Sequence, residues 1–468
     1  TVKGVARLPP PKPQQAKLFQ ELELLVIDEI SMVRADLLDC IDVFLRLHGR
    51  DRMRPFGGVQ MAFIGDLYQL PPVVTSDQKK AFADVYETPY FFSAAVLGGE
   101  KQGNLFSMNN QPARRSPVGR GGDGFRFELL ELEKIYRQSD GDFIDILNGV
   151  RTNTVTEEHL AILNRQHDPD FTPDADDFWI YLTTTNATAA RINEERLARL
   201  KTKEHTFHAE ISGKVDEKSY PTDELLSVKP GAQIMMVQND REGRWVNGTI
   251  GHVEDIAKDK DTGLVAVVIQ FPDGSVENVY PHMWDMYEWK FRRGEGVVAD
   301  PVGSFTQYPF RLAWAVTIHK SQGKTFDRAI VDVERGTFAP GQMYVALSRC
   351  RTLEGLVLKQ KISKRHILMD WKVVKFMTGL QYARSEEAMS LDEKVALIKQ
   401  AIKDKKKLAI TYLKAKDEKS RRVIIPKAIG EREYMDKTFL GVDAYCETRG
   451  EDRVFRVDRI LEMAVSDQ

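Results

Sequence analysis

The sequence is 468 residues long, with 42% apolar and 29% charged residues, 32 glycines and 20 prolines. This length and composition are typical of a globular protein of about three domains and exclude a disordered or fibrous chain. Lys and Arg number 67 and Asp and Glu number 69, so the net charge of −2 excludes a basic surface over the whole molecule. Any binding of nucleic acid therefore requires a local groove.

Neither the apolar runs nor the cysteines indicate a membrane or secreted protein. No run approaches the roughly 20 residues of a membrane-spanning helix, and no signal peptide opens the chain. The three cysteines, Cys40, Cys350 and Cys446, are far apart, which favours reduced thiols over a disulfide framework or a zinc site. We therefore expect a cytoplasmic protein with no membrane contact.

Two short apolar runs near the amino terminus predict buried parallel strands that are covered on both faces. Residues 24–27 end in Asp28-Glu29, and residues 61–64 end in Gly65-Asp66. Residues 32–47 between them have the pattern of a crossover helix, so this part of the chain predicts a βαβ unit. The apolar pattern is then lost between residues 99 and 124, which predicts a mobile loop between domains.

A second α/β pattern follows, with an insertion of different period. Its predicted elements are, in chain order, the helix 143–150, the strand 180–182, the helix 187–200 and the strands 329–333 and 356–358. Between about 229 and 290 the period changes to two, and Asp273-Gly274 is a hairpin signal. The strands predicted there, 234–237, 251–256, 265–271 and 276–280, indicate an inserted antiparallel β-barrel.

The last part of the chain predicts a helix, a polar link and a small mixed domain. The helix lies near 371–376 and the link near 384–390, and a second helix at 395–403 precedes strands at 408–412, 423–425 and 454–457. His205 and His208 could share a helix face, for which we favour a solvated surface pair over a metal site.

Residues suited to phosphate chemistry follow the predicted strands. Asp28 could hold Mg²⁺ that bridges phosphate oxygens, and Glu29 could deprotonate a water for attack on a γ-phosphate; the alternative is an acidic pair that caps the next helix. The amide of Gln69 can sense a terminal phosphate and the attacking water. Arg137 and Arg349 could neutralise transition-state charge, although each arginine taken singly is explained more simply as a surface ion-pair partner.

These residues lie in segments that resemble helicase motifs II to VI of the PIF-type branch of superfamily one. The segments occur in order between residues 24 and 349. They are Leu25-Val26-Ile27-Asp28-Glu29-Ile30-Ser31-Met32-Val33, Phe56-Gly57-Gly58-Val59-Gln60 leading to Gly65-Asp66-Leu67-Tyr68-Gln69-Leu70, Ile135-Tyr136-Arg137-Gln138, Thr317-Ile318-His319-Lys320-Ser321-Gln322-Gly323 and Tyr344-Val345-Ala346-Leu347-Ser348-Arg349. The resemblance implies an ATP-driven motor that moves 5′ to 3′ on single-stranded DNA.

The carboxyl-terminal residues resemble a WYL domain. The segments that carry this likeness are Leu408-Ala409-Ile410-Thr411-Tyr412, Arg421-Arg422-Val423-Ile424-Ile425-Pro426 and Arg453-Val454-Phe455-Arg456-Val457-Asp458-Arg459-Ile460, although the Trp-Tyr pair of the name is replaced near Thr438-Phe439. The family implies a small barrel whose basic groove binds single-stranded nucleic acid or another anionic ligand. Arg421, Arg453 and Arg456 are the candidate contacts.

Together the two resemblances imply an α/β fold with two RecA-like parallel-sheet domains, an inserted small β-barrel and a C-terminal WYL (Sm-like) β-barrel. The first RecA-like domain is expected at 1–127, and the second at 128–228 and 293–380. The inserted barrel is expected at 229–292 and the WYL domain at 390–468. ATP and Mg²⁺ are the implied cofactors, single-stranded DNA and duplex junctions are the implied partners, and we expect a monomer.

The helicase resemblance also implies a role for each matching residue. Asp28 binds Mg²⁺, Glu29 is the catalytic base, Gln69 and Arg137 sense the γ-phosphate, Tyr136 lies near the nucleotide base, Arg349 is the arginine finger, and Gly323 is a further nucleotide contact. The implied contacts to DNA are Trp245, Asn247, His319, Lys320, Ser321 and Gln322. Thr183 and Asn186 are further candidates, because the segment 183–186 ends a strand and opens a helix, where its hydroxyls and amides could bind phosphates. Two alternatives stay open, an ordinary helix cap at 183–186 and a core position for Trp245.

One motif of the helicase family does not occur. The sequence contains no G-x-x-x-x-G-K-[ST], because Gly323-Lys324-Thr325 has Ile318 where the first glycine is required. The chain opens at Thr1 with a proline-rich stretch, so we expect the phosphate-binding loop to precede residue 1; a motor that has lost ATP binding is the alternative. The rival function is a non-catalytic regulator that binds nucleic acid through the WYL domain, and an RNA helicase is a third possibility.

Overall fold

The computed structural model describes residues 19–98, 128–132, 134–174, 177–213, 215–260, 263–292, 296–334, 336–414, 418–434 and 437–466. The loop predicted at 99–124 lies outside these residues. One compact unit contains the described parts of Thr1–Val73, Lys134–Arg151 and Val155–Leu368, and another contains those of Val74–Glu133, Thr152–Thr154 and Met369–Gln468. Among the described residues, no helix combines the length and the apolar character that a bilayer crossing needs.

The first unit opens with the predicted βαβ arrangement. Strands Leu24–Ile27 and Gln60–Phe63 pair in parallel, and the helix Ala35–His48 connects them. The helix begins three residues later than predicted, because a 3₁₀ turn at Ile30–Met32 and an extended Val33 come first. Parallel pairing brings the carboxyl ends of the two strands to one edge, where the backbone N–H of Ile30 donates to the carbonyl of Ile64 at 2.9 Å.

A second parallel sheet has four strands, in the order Ala315–Thr317, Ile180–Thr183, Ala329–Asp332 and Leu356–Leu358. The helices of this part of the chain are Gly141–Arg151, Glu157–Leu163, Asn186–Arg199 and Gln342–Ser348. Ile180 and Leu182 belong to one hydrophobic cluster and Tyr181 to another, so both faces of the sheet are covered. The predicted helices and strands are confirmed to within two residues at each end.

Antiparallel sheets occupy the region predicted as an insertion. The strands Val276–Val279, Val265–Gln270, Ile250–Lys258, Gln233–Met236 and Phe310–Leu312 form a five-stranded sheet in that order. His282–Arg292, Gly296–Gln307 and Glu210–Gly213 form a second sheet, and His205–His208 pairs with Leu225–Val228. The long hairpin of residues 282–307 was not predicted, and it crosses position 292, where we expected the barrel to end.

The predicted helix face for His205 and His208 was wrong. Both residues lie in the strand His205–His208, in which side chains alternate between the two faces. An odd separation of three places the two imidazoles on opposite faces, so they cannot act as a pair of metal ligands. Among the described residues, no group of three or more His, Cys, Asp and Glu side chains is arranged to hold a metal ion.

The second unit contains the helices Lys79–Ala83, Trp371–Ala388 and Leu391–Asp404 and one antiparallel sheet. The strand order is Glu451–Arg456, Lys437–Cys446, Lys419–Tyr434, Lys407–Leu413 and Ile460–Ser466. The polar link predicted at 384–390 was wrong, because the helix continues to Ala388 through residues of good helix propensity. Ser390 then caps the next helix in a capping box with Glu393.

Residues that we expected in the first RecA-like domain also lie in this unit. The hydroxyl of Tyr90 donates to Asp370 at 3.1 Å, and the ring of Phe92 stacks on Phe376 with centroids 4.2 Å apart.

The short 3₁₀ turns of the two units are Ile30–Met32, Pro55–Gly58, Phe91–Ser93, Ala95–Leu97, Asn164–Gln166, Glu217–Ser219, Lys364–His366 and Val457–Arg459.

Candidate functional site

The carboxylate pair Asp28-Glu29 leaves the first parallel sheet at the carboxyl end of its first strand. Asp28 is exposed, and its Oδ1 accepts a hydrogen bond from the backbone N–H of Glu29 at 2.8 Å. Glu29 has φ 48° and ψ 44°, the left-handed conformation. For a residue with a Cβ this conformation costs on the order of 1–2 kcal/mol, and such strain concentrates at functional sites. The turn therefore fixes the direction of the Glu29 side chain.

A hydrogen bond joins Glu29 to the end of the second parallel sheet. Nε2 of Gln322 donates to Oε2 of Glu29 at 3.0 Å, across 293 residues of sequence. Gln322 follows the strand Ala315–Thr317, so the carboxyl ends of strands from both parallel sheets meet at one place. Open α/β sheets bind their ligands at these strand ends.

Arg349 lies beside this junction as a buried cation. Only 1% of it is exposed, and its three nitrogens donate to the carbonyls of Val345 and Lys324 and to the hydroxyl of Ser348 at 2.8–3.1 Å. Within the described part of the chain, no carboxylate is close enough to form an ion pair with it. Burial, followed by the nearby charge of Arg137, lowers the pKa of Arg349 to about 10. A phosphate would supply the negative charge that this guanidinium lacks.

Asp66 forms a second polar centre with residues that the sequence analysis did not select. Its carboxylate accepts from Arg151 at 3.2 Å, and the guanidinium of Arg151 lies 4.5 Å from the centre of the Tyr68 ring. Burial acts to lower the pKa of Arg151, but the Asp66 carboxylate overrides it and raises that pKa above its usual value. Burial and then Asp66 raise the pKa of Tyr344 to about 12. No motif signals this pairing, because Arg151 ends an otherwise ordinary helix.

The other predicted nucleotide contacts differ in how exposed and how well anchored they are. Gln69 is half-buried, and its Oε1 has no hydrogen-bond partner among the described residues. Nε2 of Gln138 donates to the carbonyls of Ser348 and Cys350, which anchors the end of the segment that carries Tyr136 and Arg137. Tyr136 is 81% exposed, and Gly323 is exposed with φ 77°.

Three of the predicted DNA contacts, Thr183, Ser321 and Trp245, have buried side chains in this structure. The hydroxyl of Thr183 donates to the carbonyls of Thr185 and Val316, and that of Ser321 donates to the carbonyl of Ile318. Trp245 is 7% exposed and packs between Arg244 and Phe271, so it occupies the core position that we left open as an alternative. None of the three can meet a nucleic acid without rearrangement.

Other predicted DNA contacts remain accessible. Lys320 and Asn186 are exposed, and His319 is half-buried, with a pKa that burial lowers. Oδ1 of Asn247 accepts from Nζ of Lys324 at 3.1 Å. These two residues line a cavity of about 560 Å³ between residues 246–250 and 323–328. The ordinary helix cap that we left open at 183–186 is present, since Oγ1 of Thr185 accepts from the backbone of Thr188.

The three C-terminal candidates differ in how their charge is compensated. Nε of Arg453 donates to Glu451 at 2.7 Å, and Nη2 of Arg456 donates to Asp458 at 2.6 Å. Arg421 is exposed and makes no ion pair with any residue that the structure describes. Of the three, Arg421 has the guanidinium that is most available to an added anion.

Comparison with known proteins decides the family. Profiles for a PIF1-like helicase and a WYL domain match residues 10–93 and 393–465. The ATP-dependent DNA helicase Pif1 of Bdellovibrio bacteriovorus is 32% identical over 363 residues, which are 76% of this chain and 70% of that protein. The crystal structure of Bacteroides Pif1 bound to ssDNA is 32% identical, with a TM-score of 0.58 over 83% of this chain and 84% of that one. The chain belongs to the Pif1 helicase family.

Further relatives show how much of a Pif1 helicase this chain covers. The human ATP-dependent DNA helicase PIF1 is 32% identical over 375 residues, which cover 79% of this chain and 51% of the human protein. The chain therefore spans about half the length of that relative. Bacteroides sp. Pif1 in complex with ADP-AlF4 has 33% identity and a TM-score of 0.61 over 83% of each chain. Our chain thus has the Pif1 helicase fold, followed by a C-terminal WYL domain.

The residues of this Pif1-family chain fit a nucleotide. Oε1 of Gln69, Oε1 of Gln322 and the hydroxyl of Ser31 are buried without a partner among the described residues, and Arg349 is a cation without a carboxylate. An anionic ligand could accept from the Ser31 hydroxyl and from Arg349, and a water bound with it could donate to the amide oxygens. For Mg²⁺, the exposed carboxylate of Asp28 is the available oxygen donor. Magnesium is commonly held by one or two carboxylates together with phosphate oxygens.

Proposed function

We propose that this chain is the motor part of an ATP-dependent DNA helicase that moves 5′ to 3′ on single-stranded DNA and unwinds duplex junctions or G-rich folded DNA. In this proposal the two parallel sheets are the cores of two RecA-like domains and the antiparallel insertion is a small barrel. The WYL domain is an Sm-like barrel that grips the strand. The protein acts as a monomer in the cytoplasm.

The observation that carries the proposal is the hydrogen bond between Glu29 and Gln322, with Arg349 beside it. These residues come from the ends of two different parallel sheets. A ligand held between them would couple the positions of the sheets to its own chemistry, which is what a motor requires. A solvated acidic cap, the alternative for Asp28-Glu29, would not need a partner from the other sheet.

Each side chain has a proposed task toward the triphosphate. Mg²⁺ would supply neutralising charge on the phosphate oxygens, and Asp28 would hold it. Glu29 would take the proton of the attacking water, and Gln322 fixes the carboxylate that does so. Gln69 would orient the water, while Arg137 and Arg349 would neutralise the charge that develops on the γ-phosphate. Tyr136 would lie near the nucleotide base.

The experiment uses a chain to which the phosphate-binding motif, absent from this sequence, has been added. The full chain is joined behind a segment that contains G-x-x-x-x-G-K-[ST], and ATP hydrolysis is measured with no nucleic acid, with single-stranded DNA and with RNA of equal length. We expect strong stimulation by DNA and unwinding of duplexes that carry a 5′ tail. Equal stimulation by RNA would indicate an RNA helicase. Binding of DNA without Mg²⁺ and without turnover would favour the non-catalytic regulator.

A further inference from the structure

We propose that a basic cavity in the second unit binds a phosphate group of single-stranded nucleic acid in exchange for the carboxylate of Glu131. The cavity has a volume of about 400 Å³ and lies between the helix Trp371–Ala388 and the C-terminal sheet. Its polar lining consists of Gln381, Arg384, Ser385, Thr411, Lys419, Arg421 and Glu462. This proposal extends the role proposed for the WYL domain and does not require ATP hydrolysis.

Strand register explains why the polar groups gather on one face. Thr411 lies opposite Arg421 on one neighbouring strand and opposite Glu462 on the other. Directly opposed residues point to the same face of an antiparallel sheet, and Lys419, two residues before Arg421, shares that face. Oγ1 of Thr411 donates to Glu462 at 2.9 Å, which holds this carboxylate at one side of the row.

The positive charge of the cavity exceeds its negative charge. Arg384 and Arg421 are exposed, and neither forms an ion pair within the part of the chain that the structure describes. Lys394, only 2% exposed, lies behind the wall, where its Nζ donates to Oγ of Ser385 at 2.6 Å. Burial lowers the pKa of Lys394. A buried cation next to unpaired surface cations favours an anionic ligand.

A carboxylate of the chain itself already occupies part of this site. Oε2 of Glu131 accepts from Nε2 of Gln381 at 3.0 Å and pairs with Nζ of Lys419. Nη1 of Arg384 donates to the carbonyl of Leu129 at 3.4 Å. The segment 128–132 therefore presents oxygen acceptors to the same donors that a phosphate would use. The side chains of Lys419 and Glu131 are 30% and 32% exposed, so the pair is partly screened and its exchange costs little.

A nucleic acid backbone suits the site better than the internal carboxylate. Its phosphates could engage Lys419, Arg384 and also Arg421, whereas the single carboxylate of Glu131 leaves Arg421 without an ion pair. Glu131 shortly precedes Tyr136-Arg137 in the sequence. Exchange would therefore release the segment that leads into the predicted phosphate-sensing residues, and it would report occupation of the WYL domain to that motif.

Equilibrium binding of a fluorescent oligothymidylate to the full chain without nucleotide tests the exchange. Glu131→Gln removes the competing charge and should strengthen binding by about threefold or more, the upper range for a partly exposed ion pair. Glu128→Gln is the matched control, because Glu128 is exposed in the same segment and makes no described contact. Arg421→Gln should weaken binding and reduce the slope of log K against log salt by about 1.

Hydrogen exchange of the peptide that contains residues 128–132 provides a second readout. The oligonucleotide should speed its exchange in the unmodified chain, and Lys419→Gln should do so without any ligand. Equal affinities for Glu131→Gln and Glu128→Gln, or unchanged exchange with the oligonucleotide, would overturn the proposal. Inorganic phosphate that releases the segment as well as the oligonucleotide does would overturn nucleic acid as the ligand. If the oligonucleotide releases the segment 128–132 in a chain that shows no DNA-stimulated ATPase, only the proposed motor function is refuted.

Discussion

Replacing Glu29 by Gln should separate ATP binding from ATP hydrolysis. Gln has the same size and can keep a hydrogen bond to Gln322, so the change removes the charge and the basicity but little packing. Converting the bond to the carboxylate into a neutral one costs on the order of 1 kcal/mol. Loss of a general base lowers the rate by about 10²–10⁴-fold, equivalent to about 3–5 kcal/mol in the barrier. Catalysis should therefore suffer far more than folding or binding.

Steady-state hydrolysis and nucleotide binding are measured on the chain that carries the supplied phosphate-binding segment. The matched control is Glu23→Gln, since Glu23 immediately precedes the same strand, is largely exposed and lies 3.6 Å from Arg50. We expect the control to hydrolyse ATP at the unmodified rate. The reasoning fails if Glu29→Gln keeps more than about a tenth of the DNA-stimulated rate, because no general base loses so little.

Three further predictions concern the groups around this site. Asp66→Asn leaves the half-buried Arg151 without its carboxylate and should lower the free energy of urea unfolding by about 1–3 kcal/mol, whereas Glu195→Gln, which breaks an exposed pair, should change it by less than about 0.5 kcal/mol. Gly341→Ala should cost more than about 2 kcal/mol in thermal unfolding, because φ is 72° and the new Cβ would lie 2.3–2.4 Å from two backbone oxygens; little loss would contradict this geometry. Burial and then Arg52 lower the pKa of His48, so the unfolded chain binds more protons in the window below its ordinary pKa of about 6.5. Stability should therefore fall with acidification through that window, and a melting curve series of His48→Gln should show a smaller fall.

The sequence was sufficient where a local pattern determines a local structure. The apolar runs that end in Asp28 and Asp66 predicted two parallel strands, and the register confirms the pairing. The predicted burial on both faces was wrong for the first strand, since Leu24 and Val26 are 48% and 50% exposed. The pairing of His282–Arg292 with Gly296–Gln307 was missed, because aromatic and charged residues alternate along the first of these strands. Patterns of period two are ambiguous when both faces carry large side chains.

Side-chain environments were harder to predict than strands. Thr183 and Ser321 belong to motif-like segments rich in hydroxyl groups, which suggested contacts to DNA. Their hydroxyls instead donate to carbonyls of neighbouring turns and strands. Whether a hydroxyl faces a ligand or a carbonyl depends on the backbone next to it in space, and that backbone comes from distant sequence. The pairing of Asp66 with Arg151 escaped prediction for the same reason, since 85 residues separate them.

The unfavourable features of the site have one common physical explanation. Glu29 is held in a left-handed conformation, Arg349 is buried with only carbonyls and a hydroxyl as partners, and the amide oxygens of Gln69 and Gln322 are unpaired among the described residues. Each feature raises the free energy of the protein alone by on the order of 1–3 kcal/mol. A bound phosphate with its water would pair the cation and both amides at once. Binding would therefore be stronger, because the folded protein without a ligand already contains these unpaired groups. Without a ligand these groups leave one buried cation without a carboxylate and two amide oxygens without a donor among the described residues, which is why their convergence favours a ligand site over an ordinary polar core.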